Sequence, residues 1–157
     1  MPVRTFSIRN NGPEGLRPTE LRHLLAVLPE SDAVWWRVEI EDLNGGEMAN
    51  DVADAIERQR GNEPLVLIGS EMRRFADDIS QSFGGRFVAF APGTGRNAVD
   101  LGLSTAAAFE ISPIRYALLD IRGDEWIVIA KVEADFNAVR AQFCDVRDED
   151  ASEFPLH

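Results

Sequence analysis

The sequence is poor in the residues that most chemistry uses. It holds one cysteine, Cys144, which rules out an internal disulfide and a cysteine-built zinc site. Its two histidines, His23 and His157, are too few for a histidine-rich metal centre. Lys131 is the one lysine and Tyr116 the one tyrosine. Apolar runs, such as those within Tyr116 to Asp120 and Trp126 to Ala130, fall far below the ~20 residues of a membrane helix. Met1-Pro2-Val3-Arg4-Thr5-Phe6 lacks the apolar stretch of a signal peptide, so the expected location is the cytoplasm. No membrane partner is expected.

What is present is ordinary for one folded domain: 157 residues, 45% hydrophobic and 27% charged. A single globular domain over 1–157 is the expectation. The balance of charge is the informative number. There are 16 basic against 27 acidic residues, a net −11. Such a field repels nucleic-acid phosphates and attracts basic partners.

Strand and helix patterns alternate along the chain without a linker. Val3 to Ile8 reads as a strand, and Pro18-Thr19 opens a helix carrying Leu21, Leu24, Leu25 and Leu28. Ala33 to Asp42 alternates cleanly: Trp36, Val38 and Ile40 face one way, Trp35, Arg37, Glu39 and Glu41 the other. Gly45-Gly46 precedes a helix from about Glu47 to Arg60. Pro64 to Ile68 is a continuous apolar strand, as a central strand covered on both faces would be. A helix capped by Ser70 then carries Met72, Phe75, Ala76, Ile79 and Phe83, and Arg86 to Ala91 returns as a strand. Thr105 to Ile111 fits helix by its alanines and strand by its flanks. Ile114 to Ile121 and Glu125 to Ala130 form a hairpin about Arg122-Gly123-Asp124, followed by a helix from Glu133 to Phe143. The fold class is therefore α+β (mixed α/β): a mixed sheet with helices packed on it and a C-terminal β-hairpin followed by a helix. The segment 145–157, with Asp145, Asp148, Glu149, Asp150 and Glu153, is expected to be an exposed, flexible acidic tail.

Motifs for chemistry are incomplete. Gly93-Thr94-Gly95-Arg96-Asn97 follows a strand and offers a ligand loop, but lacks the Gly-Lys-Ser/Thr ending of a phosphate loop. Ala98 stands where a dinucleotide fingerprint has its third glycine. Glu39 and Glu41, with Asp120 as a third member, are the one carboxylate set that suggests a divalent cation; Arg37 on the same face points instead to a solvated surface. Ser70 sits at a strand-to-helix junction without the G-x-S-x-G pattern, and a Ser70–His23–Asp120 triad rests on availability alone. No catalytic residue, metal or cofactor is expected. Trp35, a large ring among charges, has the composition of an interface anchor.

The expected function is non-enzymatic: an acidic binding protein, of the immunity or inhibitor kind, covering the active site of a basic protein toxin. Its partner-binding residues would be Trp35, Arg37, Glu39, Glu41 and Asp42. The closing segment Leu119-Asp120, Trp126-Ile127-Val128, Phe136 and Phe143 looks broadly like the ends of some bacterial immunity proteins, which are small, acidic and cytosolic. The alternative is a small-molecule-binding or carboxylate/metal-dependent α/β enzyme using the 92–105 loop.

Overall fold

The structure, a computed structural model, describes residues 3–9, 19–31, 33–58, 65–94, 106–121, 125–143 and 146–149. Among these, nine strands and five helices follow in the order β1 (Arg4–Arg9), α1 (Leu21–Val27), β2 (Trp35–Ile40), β3 (Leu43–Gly45), α2 (Glu47–Arg58), β4 (Leu65–Ile68), α3 (Gly69–Asp78), β5 (Ile79–Ser82), β6 (Gly85–Phe90), α4 (Ala106–Ile111), β7 (Ile114–Ile121), β8 (Glu125–Ala130), α5 (Glu133–Gln142) and β9 (Val146–Glu149). Seven strands form one sheet in the order β4-β2-β6-β7-β8-β1-β9, and β3 pairs with β5 beside it. The α+β domain with a closing hairpin and helix is what the chain forms. Among the described residues every strand pairing is antiparallel. The stretch 105–111 resolves as helix α4 over 106–111.

Strand alternation gives the sheet two apolar faces. Phe6, Ile8, Trp36, Val38, Phe87, Tyr116, Leu118, Trp126 and Val128 point to one, where α1, α2, α3 and α5 add Leu24, Ala49, Phe75 and Phe136. Val66, Val88, Ala117, Leu119 and Ile129 point to the other, where α4 contributes Phe109. Lys131 fixes the end of α4 by donating to the carbonyls of Phe109 (3.1 Å), Glu110 (3.2 Å) and Ser112 (2.6 Å).

Three local expectations are corrected. The apolar run ending at Ile68 forms an edge strand, β4, rather than a central one. Its apolar character comes from burial on both faces, Leu67 in the larger core and Val66 in the smaller. Ser70 does not cap α3; the helix begins at Gly69, and Glu71 turns back to accept the Ile68 N–H at 3.1 Å. That bond occupies one donor at the sheet edge, which blunts β4 against strand addition. The α3 helix stops at Asp78, and Ile79 begins β5 instead of continuing the helical stripe. Asp78 is held there because its carboxylate caps the next helix over, accepting the Ala49 N–H at 2.9 Å while its carbonyl accepts the Gly46 N–H at 3.0 Å. Glycine is required at position 45, where a Cβ would lie 2.6 Å from the Asp78 carbonyl oxygen.

The acidic end also begins differently from a free tail. Val146–Glu149 is β9, paired with β1 from Ile8↔Val146 to Thr5↔Glu149. Residues 150–157 lie outside the described residues. Asp148 takes hydrogen bonds from Arg140 (2.6 and 2.7 Å) and Arg4 (3.3 Å). The Arg140 hydrogen bond is the main cause holding the Asp148 carboxyl below the usual aspartate range. A carboxyl lowered on folding contributes stability above its unfolded value, about pH 3.9, and loses it as pH falls through the folded value. Asp148→Asn is therefore expected to flatten the acid limb of stability, read as melting temperature between neutral pH and about pH 3. An unchanged acid limb would deny the ion pairs that role.

Candidate functional site

The two faces of β2 are as the alternation requires. Trp36 and Val38 are fully buried, whereas Trp35, Arg37 and Glu39 are half-buried on the opposite face, and Glu41 and Asp42 are exposed beyond the strand end. The five residues expected to bind a partner differ in exposure and in pairing. Trp35 lies at one end, in register with Ile68 on β4 and Phe90 on β6, and packs against the smaller core. Glu41 and Asp42 lie at the other end. Between them Glu39 is neutralised: Arg37 Nη2 approaches it at 3.1 Å, and Arg86 Nε, from its register partner on β6, also at 3.1 Å. Glu39 is therefore half of an internal ladder, not part of an acidic pair. Arg37 Nε is buried without a hydrogen-bond partner. Ile68 is 40% exposed beside Trp35, so this end of the strand offers apolar surface.

Asp120 does not join Glu39. It alternates with Tyr116 and Leu118 and so points to the opposite, helix-covered face. Its carboxylate accepts the Ser82 hydroxyl and, at 3.3 Å, the Gly84 N–H. Both donors reach Oδ2 and tie Asp120 to the turn between β5 and β6. Among the described residues no three of His, Cys, Asp and Glu come close enough to hold a metal. His23 Nδ1 accepts the Glu20 N–H at 3.0 Å at the start of α1, while Ser70 is exposed on α3. His23 and Asp120 are thus each bonded within their own local structure.

The loop after β6 is described only to Thr94; Gly95, Arg96 and Asn97 lie outside the described residues, as do Arg122-Gly123-Asp124 and Cys144. Gly93 has φ +85°, a left-handed conformation suited to glycine, and the Thr94 N–H donates to the Ala91 carbonyl at 3.1 Å. The described half of the loop is a turn whose donor points back into the chain.

Two features escaped the sequence reading. The first is on α2. Glu47, Asp51, Asp54 and Glu57 recur at four- and three-residue intervals and are all exposed, giving one uninterrupted acidic helix face. The helical period of these acids is legible in the sequence, opposite the apolar side formed by Met48, Val52, Ala55 and Ile56. None of the four has an ion pair among the described residues, whereas Arg4, Arg22, Arg37, Arg86, Arg115 and Arg140 are all paired with carboxylates of the chain.

The second is an ion-pair cluster centred on Arg115. The β6–β7 register shifts between Ala89↔Tyr116 and Phe90↔Ile114, which makes Arg115 the extra residue of a β-bulge and re-aims its side chain. Its Nε and Nη2 donate to the two oxygens of Asp135 on α5, at 3.1 and 2.9 Å, and Nη1 donates to Glu30. Asp135 is wholly buried; burial pushes its carboxyl up, against the pull of Arg115. The Asp135 hydrogen bond is in turn the main cause raising the Arg115 guanidinium. Glu30 has φ +60°, and Tyr116 donates its hydroxyl to the neighbouring Pro29 carbonyl at 3.2 Å. The cluster pins the α1–β2 connection to the sheet.

No protein-family model matches this chain, and no curated protein sequence or solved structure matches it.

Proposed function

We propose that this chain is a non-catalytic, cytoplasmic, acidic binding protein of the immunity or inhibitor kind, which neutralises a basic protein by covering its active site. The observation that carries this reading is the α2 face. Glu47, Asp51, Asp54 and Glu57 are exposed and have no ion pair among the described residues, while six described arginines are paired within the chain, so this face presents acids to solvent in a chain of net charge −11. Such a face raises the encounter rate with a cationic surface and selects against anionic ones. Glu41 and Asp42 extend the exposed acid set. Trp35 with Ile68 offers apolar area of the kind that slows dissociation.

The purified chain, used as bait in lysate of its own source, is expected to retain a basic protein. Association of the isolated pair should then slow at least about tenfold between 50 and 500 mM salt. Replacing the four α2 acids by their amides should slow association comparably at low salt and leave the fold unchanged, since all four are exposed. Retention of no basic protein, or an association rate indifferent to both salt and the α2 amides, would overturn the reading.

A further inference from the structure

We infer that β9 is an electrostatically latched edge strap, able to leave β1 as a local unit while the rest of the domain stays folded. β9 is four residues long and, among the described residues, lies at the sheet edge with β1 as its one strand partner. Arg147 and Asp148 are exposed, and Val146 is its half-buried apolar contact with the main core. Two of its side-chain ties meet on a single carboxylate. Asp148 is bound by Arg4 from β1 and Arg140 from α5, with the three side chains 62%, 38% and 45% exposed respectively. Those two arginines are the charged groups that face Asp148 from the elements packed against β9; Arg147 is the other described charge on its own strand. Exposed pairs of this kind are weak and are screened by salt.

The receiving half of the latch does not depend on β9. Arg4 lies 5.1 Å above the Phe6 ring and 4.9 Å from that of Phe136, and Arg140 lies 5.1 Å from Phe6. Phe6 and Phe136 meet edge to face at 5.8 Å within the core. The guanidiniums thus have an aromatic seat whether or not Asp148 is between them, and the strap can open and reclose on an unchanged surface. Opening uncovers the β1 edge, a row of backbone donors and acceptors of the kind that takes up an added strand. Elements held by few buried contacts open well below the global unfolding energy, and here charge adds to the ladder and the Val146 contact that must be broken.

Amide hydrogen exchange on the full chain tests this. At neutral pH the β9 amides are expected to exchange at least about tenfold faster than those of β7 and β8. Raising salt to about 0.5 M should accelerate β9 several-fold and leave β7 and β8 unchanged. Asp148→Asn should accelerate β9 at low salt and weaken its response to salt, with the unaltered β7–β8 exchange reporting an intact fold. Exchange of β9 at the rate of β7 and β8 would overturn the strap. Fast exchange that ignores both salt and Asp148→Asn would overturn the latch.

Discussion

Trp36→Ala is expected to destabilise the domain by about 3–5 kcal/mol, lowering the melting temperature by roughly 10 °C. The Trp36 side chain is fully buried on the helix-covered face of β2. Its ring lies 5.5 Å from that of Tyr116, and its indole N–H donates to the Ser31 carbonyl at 3.1 Å. Alanine would remove the packing, leave a cavity and strand that carbonyl in an apolar setting. Trp36→Phe separates the two losses. It keeps most of the buried area but not the donor, so its cost should fall to about 1–2 kcal/mol. Trp35→Ala, from a half-buried ring on the other face, should cost clearly less than Trp36→Ala in the same denaturant titration. A larger effect at Trp35 would mean that the β2 faces are assigned backwards.

That pair of tryptophans shows what a single sequence carries well. A period of two specifies which residues share a face, because a strand has no other way to place them. The same holds for the hairpin of β7 and β8 and for the helix after it. Pairing partners are another matter, since they are chosen across the chain. β4 reads as a central strand because both of its faces are apolar, yet nothing local says that one of its edges has no strand beyond it. β9 reads as a loose acidic tail because the arginine that meets Asp148 on β1 is 144 residues away. The candidate site suffered in the same way. Glu39 and Glu41 look like a carboxylate pair until register brings Arg86 across to Glu39. Arg115 looks like one more outward arginine on a strand until a one-residue bulge turns it towards Asp135.

Breaking that Arg115–Asp135 pair is expected to match the loss at Trp36. Asp135 is wholly buried, and the Arg115 side chain is 12% exposed. Removing Arg115 leaves the Asp135 carboxylate buried and uncompensated, at a cost of about 3–5 kcal/mol, and removing Asp135 leaves the mostly buried guanidinium with the exposed Glu30 alone. The two single variants should differ in their response to acid. Asp135 is a carboxyl raised by folding, so its contribution is present below its unfolded value and lost as pH rises through the folded value, the reverse of Asp148. In Arg115→Ala the hydrogen bond that opposed this rise is gone, and the carboxyl can shed its charge by taking up a proton. The deficit of Arg115→Ala relative to the parent chain should therefore shrink as pH falls from 7 towards about 5. Asp135→Ala leaves a guanidinium that cannot deprotonate, and its deficit should stay nearly constant over that range. An Arg115→Met/Asp135→Leu double variant should cost less than the sum of the two alanine changes, because neither charge then remains alone. Chemical denaturation of the four chains at both pH values measures all three expectations. Single losses below about 1 kcal/mol would show instead that the cluster behaves as an exposed surface pair.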